Sequence, residues 1–129
     1  MMEKWRTMAI ARLMDYETIK QAKKNLPEEI ARCSVPKDAG KEERLDCLAQ
    51  KLYLRERLRQ VGRWLDVTHK GLGVLTPEER LVVQMLYIMP KKGNVARLCD
   101  LLDCGQSTVY RRRDKALEKF TVALYGKGN

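Results

Sequence analysis

Residues 95–117, VARLCDLLDCGQSTVYRRRDKAL, hold the feature that most restricts how this chain can fold. Apolar residues recur at helical steps on both sides of Asp103-Cys104-Gly105, a stretch long enough only for a sharp reversal. The upstream segment predicts a helix over about 95–102, with Leu98, Cys99 and Leu102 turned inward. The downstream segment predicts a second helix from Gln106, with Gly105 as its N-cap and Val109, Ala116 and Leu117 inward. That second helix carries Arg111, Arg112 and Arg113 in succession.

The strongest boundary signal lies just upstream, at Leu75-Thr76-Pro77-Glu78-Glu79. Thr76 suits an N-cap and Pro77 the first helical position. Glu79, three residues after Thr76, completes a capping box, and Leu75 is placed to staple onto the first turn. These signals predict a helix over 77–89 with Val82, Val83, Met85 and Leu86 as its apolar positions. Pro90-Lys91-Lys92-Gly93 ends it, and Asn94 is the expected cap of the next helix.

The first 70 residues also read as helical. Trp5, Met8, Ile10, Leu13, Met14, Ile19 and Ala22 predict a helix over 3–24. Pro27 disfavours helix at the residue before it, so the pattern is expected to stop at Asn25-Leu26-Pro27, with a further short turn of helix over 28–33. Residues 34–40 read as a polar linker. A long helix follows over 41–69, with a seam of Leu45, Leu48, Leu52, Leu58, Val61 and Leu65 and Trp64 beside it. Such a seam packs either on residues 3–24, as a helical hairpin, or on a second copy of the chain, as a homodimer. Lys70-Gly71-Leu72-Gly73 should break this helix.

The expected fold class is therefore all-α: an N-terminal helical hairpin over 1–70, then a helical domain over 75–125. Composition agrees, since only 6% of the 129 residues are aromatic and helix-favouring residues dominate. A net charge of +9 favours polyanionic partners, although the excess is spread over both halves of the chain. Four Cys and one His do not fall into paired zinc spacings, so no metal and no cofactor is expected. Cys99 and Cys104 are expected as reduced, buried, structural residues, which points to the cytoplasm. The apolar runs fall short of a membrane span.

The layout of residues 95–117 is that of a helix-turn-helix, whose second helix can enter the major groove of double-stranded DNA. Gln106, Ser107, Tyr110 and Arg111 would then lie nearest the base edges, where Gln can pair with adenine and Arg with guanine. Ser107 and Thr108 can also reach phosphates at the helix N-terminus. Arg97, Arg112 and Lys115 are the expected phosphate contacts. Three consecutive arginines alone say little, because they point in directions about 100° apart. The weight rests on their conjunction with a capped preceding helix, spaced inward residues and a short turn.

Residues 75–120 resemble region 4 of bacterial sigma factors. The resemblance is carried by Leu75, Glu79-Arg80, Val82-Val83, Met85, Tyr87, Leu98-Cys99, Leu101-Leu102, Ser107-Thr108-Val109, Arg112 and Ala116-Leu117. The chain departs from that pattern in a longer connection through Pro90–Gly93 and in Gly105 at a position usually held by Ser. It departs again at Arg113, which stands where an apolar residue is common, so its stem should lie on the core with its head in water. The N-terminal 70 residues lack the aromatic-rich, strand-opening segment of sigma region 2. With Tyr16 and Asn25-Leu26-Pro27-Glu28-Glu29-Ile30, the layout is similar to the small sigma-like regulators of phages and prophages, the ArpU/RinA type. The resemblance implies a cytoplasmic, nucleoid-associated transcription regulator of phage late or packaging genes.

Two other uses fit the same residues. One is a sigma-like module that binds RNA polymerase or another protein. The other is a small DNA-binding subunit of phage DNA packaging. An enzyme is not expected: Tyr110 sits beside arginines, but no His or carboxylate cluster supports it.

Overall fold

The computed structural model describes residues 2–126, which fold into helices without a strand. The order is α1 (Met2–Arg32), α2 (Lys41–Gly73), α3 (Pro77–Val83), α4 (Asn94–Leu102) and α5 (Gln106–Tyr125), with α3 running on as a π-helical turn, Gln84–Ile88. Contacts divide the chain into two compact units. One comprises residues up to Glu17 and from Asp66 onward; the other is Thr18–Leu65. This differs from a split at 70–75, because the start of α1 belongs with α3–α5.

In the first unit, the core is built around Phe120. Ala9 and Leu13 of α1, Leu75, Val83 of α3, and Ala116, Leu117 and Phe120 of α5 form one buried cluster, bordered by Leu72, Tyr87, Leu124 and Tyr125. Leu75 thus enters the core beside Val83. Trp5 of α1 lies 5.1 Å, centroid to centroid, from Tyr125 of α5. A second cluster, of Val82, Leu98 and Val109, joins α3, α4 and α5, with Met85, Leu86, Cys99, Leu102 and Cys104 packed on it.

The capping box forms as its residues predict. Thr76 Oγ1 accepts from the Glu79 amide at 3.2 Å, and Glu79 Oε1 accepts from the Thr76 amide at 2.9 Å.

In the second unit, Leu26, Ala39, Leu54, Val61 and Leu65 are buried. The expected seam of α2 is corrected here. Leu45, Leu48 and Leu52 are each more than half exposed, and the side chains turned inward are Cys47, Lys51, Leu54, Leu58, Val61 and Leu65. These inward positions keep alternating four- and three-residue steps, whereas the row through Leu45, Leu48, Leu52 and Leu58 jumps six residues and leaves the face.

Two helix ends are also corrected. α1 does not stop before Pro27 but runs through it to Arg32. Proline within a helix costs about 3 kcal/mol, since the carbonyl four residues earlier loses its donor. Past the proline, the helix brings the half-buried Ile30 to the same side as the buried Leu26, one turn before it. α2 likewise does not break at Lys70 but continues to Gly73. Gly71 lies inside the helix because Phe120 is packed against it. A Cβ there would stand 2.8 Å from Cε1 and 2.9 Å from Cδ1 of that ring. The glycine is a space requirement, where the sequence pattern suggests punctuation.

Asn94 is corrected as well. The N-cap of α4 is Gly93, at φ +85°, a left-handed conformation that suits glycine. Asn94 is the first helical residue and is buried; its Nδ2 donates to the carbonyls of Met85 at 2.5 Å and Met89 at 3.4 Å. The side chain satisfies carbonyls left open where the preceding helix ends, so it ties α4 to the π-helical turn.

Gly71→Ala tests the packing at Phe120. Alanine is ordinarily favoured over glycine inside a helix by about 1 kcal/mol. Here the added methyl meets a fully buried ring, and overpacking costs about 1–3 kcal/mol. The variant should unfold at a lower urea midpoint with an unchanged m-value. A raised midpoint would show that the ring gives way freely.

Candidate nucleic-acid interface

α4 and α5 are joined by Asp103-Cys104-Gly105. α4 ends because Asp103 takes a left-handed conformation, φ 51° and ψ 54°, which a short polar side chain tolerates. The Asp103 amide bonds to the Cys99 carbonyl, and so does the Cys104 amide, at 3.1 Å. This closure turns the chain through three residues. Gly105 then caps α5 in extended conformation, without a side-chain cap bond.

α5 starts at Gln106, as expected, and runs on to Tyr125. Val109, Ala116 and Leu117 are buried, as their spacing predicts. Leu98 is fully buried, and Cys99, Leu102 and Cys104 are half-buried on its cluster. The expectation of fully buried cysteines is therefore corrected: the turn lies too near the surface to cover them, and all four cysteines are free and half-buried.

The expected contact residues fall into two groups. Gln106, Ser107, Arg111, Lys115 and Arg97 are exposed. Ser107, Arg111 and Lys115, four apart along α5, share its outer side. Gln106 also lines a groove of about 530 Å³ with Gly93, Val95, Ala96, Cys99 and Asp100, which places the start of α5 beside α4. Lys91 and Lys92, in the connection before α4, are exposed as well.

Thr108, Tyr110, Arg112 and Arg113 are half-buried and occupied within the chain. Thr108 Oγ1 accepts from Arg111 at 3.2 Å, and Gln106 Nε2 donates to Tyr110 at 3.4 Å. Arg112 is ion-paired with Glu78 in the first turn of α3. Arg113 lies over the Tyr110 ring at 4.9 Å and pairs with Asp114 at 2.9 Å, both on α5 itself. The arginine run thus divides: Arg111 is exposed, Arg112 is paired across to α3, and Arg113 is paired within α5.

Sequence spacing does not reveal the partners that hold α5 in place. Arg6 of α1 reaches Asp114 at 2.7 Å, and Lys119 reaches the buried Glu79 at 2.9 Å. Nearby on α1 and α2, Arg12 donates to Thr68 and Tyr16 meets His69, each at 2.7 Å. These pairs are 40 to 108 residues apart, and only the fold brings them together.

Among the described residues, no three His, Cys, Asp or Glu side chains group as metal ligands, and no helix is long and apolar enough to cross a membrane. The chain matches no protein-family model, no curated protein and no solved structure.

Glu79 gives this region a pH dependence. Burial pushes its pKa up, but hydrogen bonds from Thr76 and Lys119 and the charge of Lys119 together outweigh it, and the net direction is down. A carboxylate held below its unfolded value, about 4.3, stabilises the fold above that value and loses its contribution as pH falls through the folded one. Unfolding midpoints measured from pH 6 downward should fall in that acid range. Glu79→Gln should flatten that limb while lowering stability near pH 7; an unaltered limb would show that Glu79 is not the group responsible.

Proposed function

We propose that this chain is a sequence-specific DNA-binding transcription regulator. In this reading, residues 77–117 act as a helix-turn-helix of the sigma region 4 type, and α5 is the recognition helix. The observation that carries the reading is the start of α5. Val109 is buried on Val82 and Leu98, whereas Gln106, Ser107 and Arg111 are left on the surface. Anchoring one side of the first turns in a core gives the other side a fixed direction, which reading base edges requires.

The roles follow from the chemistry of each group. Gln106 and Arg111 are the base readers, through the paired hydrogen bonds that a carboxamide makes to adenine and a guanidinium to guanine. Ser107 lies in the first turn of α5, where backbone amides without a side-chain cap favour a phosphate. Arg97 and Lys115 contact phosphates and fix the register. Arg112 would join them only by exchanging Glu78 for phosphate. A place beside RNA polymerase rests on the resemblance of residues 75–120, and phage or prophage origin on that of the whole layout, Tyr16 and Asn25–Ile30 included.

A second reading, binding of RNA polymerase or another protein with DNA secondary, has one observation in its favour. Leu45, Leu48, Leu52 and Tyr53 of α2 are exposed on the surface of the Thr18–Leu65 unit, and solvated helices seldom collect such a row.

Selection of bound duplexes from a random pool tests the proposal, and a promoter-like consensus is the expected result. On the selected site, Gln106→Ala and Arg111→Ala should each cost about 1–3 kcal/mol and relax preference at one position. Arg97→Ala should weaken all duplexes alike and lower the salt slope by about 0.9. Affinity unchanged in both α5 variants, with protein binding intact, would overturn the DNA reading in favour of the second.

A further inference from the structure

The turn between α4 and α5 carries two thiols, on residues joined by a backbone hydrogen bond. Asp103 in left-handed conformation, with the Cys104 amide on the Cys99 carbonyl at 3.1 Å, is a Schellman-type helix end. In that motif a side-chain contact between the residue after the left-handed one and the residue three positions inside the helix end is frequent. Here those two residues are Cys104 and Cys99. The hydrogen bond limits the separation of their Cα atoms to about 7 Å, given standard backbone bond lengths. Disulfides span Cα separations of about 4.4–6.8 Å. Both side chains rest on the same Val82–Leu98–Val109 cluster, and both are half-buried free thiols within reach of a small molecule.

We propose that Cys99 and Cys104 form a reversible dithiol–disulfide site, oxidised by low-molecular-weight disulfides of the glutathione class. One cysteine thiolate attacks a sulfur of the small disulfide, forming a mixed disulfide and releasing one small thiolate, which takes up a proton. The second cysteine, as thiolate, then attacks the protein sulfur of that mixed disulfide, and the second small thiol leaves. In sum, two protein S–H groups become one S–S bond, and the small disulfide accepts two electrons and two protons to become two thiols. Thiol in excess runs the exchange backward. The bridge would close the turn that sets how α5 leaves α4, two residues before Gln106.

The full chain, folded, is equilibrated with oxidised and reduced glutathione, quenched by alkylation and digested with trypsin. Cleavage after Arg97 and Arg111 puts Cys99 and Cys104 on one peptide, apart from Cys33 and Cys47. The expected result is a peptide lighter by two hydrogens and carrying no alkyl group, restored to the dialkylated form by excess thiol. Cys104→Ser should instead trap a stable glutathione adduct on Cys99, and a Cys33→Ser, Cys47→Ser double variant should behave as the parent. A peptide that stays dialkylated, or that holds glutathione on both cysteines, overturns the proposal. DNA affinity measured on the same samples reports separately on the proposed function: an internal bridge in a chain without DNA affinity supports the thiol site and counts against the DNA reading alone.

Discussion

The first unit depends on how closely α2 and α5 approach at one ring. Phe120, the only phenylalanine, is fully buried and lies against the backbone of Gly71, where no Cβ fits. The same ring shares a cluster with Ala9 and Leu13 of α1, Leu75, and Val83 of α3. α5 is therefore positioned at its C-terminal half by contacts from segments far apart in sequence. Its N-terminal half is held by the smaller Val82–Leu98–Val109 cluster. A helix fixed at two separated points has a defined direction, and the side chains of its first turns inherit it.

What the sequence reveals is local. The Thr76–Glu79 capping box, the α4–α5 turn and the inward Leu98, Val109, Ala116 and Leu117 follow from spacing of a few residues, and all appear in the structure. The errors come from signals with two physical meanings. Pro27 reads as a stop, but the helix runs past it to Arg32 and sets Ile30 on the side of the buried Leu26. Gly71 reads as a break, but its missing Cβ is what Phe120 requires. Asn94 reads as a cap, but its amide serves the carbonyls of Met85 and Met89. On α2 the row through Leu45, Leu48 and Leu52 reads as the seam, but the row with unbroken four- and three-residue steps is the one turned inward.

The candidate site shows the same division. That α5 begins at Gln106 and exposes Ser107 and Arg111 is legible from its period. Which arginines are paired is not, because the partners come from elsewhere: Glu78 from α3 for Arg112, and Arg6 from α1 to share Asp114 with Arg113. Exposed ion pairs of this kind contribute little stability, with a median of about 0–1 kcal/mol. Their larger effect is on where charge is available.

That distribution bears on selectivity. Unpaired cations spread evenly over a surface bind any polyanion, with affinity but no register. In this chain, Glu78, Asp114 and Glu79 hold Arg112, Arg113 and Lys119, all on the part of α5 from its second turn onward. Arg111 and Lys115 remain exposed on the outer side of α5 and Arg97 on α4. Carboxylates that tie up charge along the flank of a helix lower its affinity for a phosphate backbone in any other orientation. Under the proposed function, they leave the outer row of α5 as the side that offers a duplex both cations and the hydrogen-bonding ends of Gln106 and Ser107. Pairing of this kind restricts the orientation in which a polyanion binds, and base-edge contacts must then supply any sequence preference.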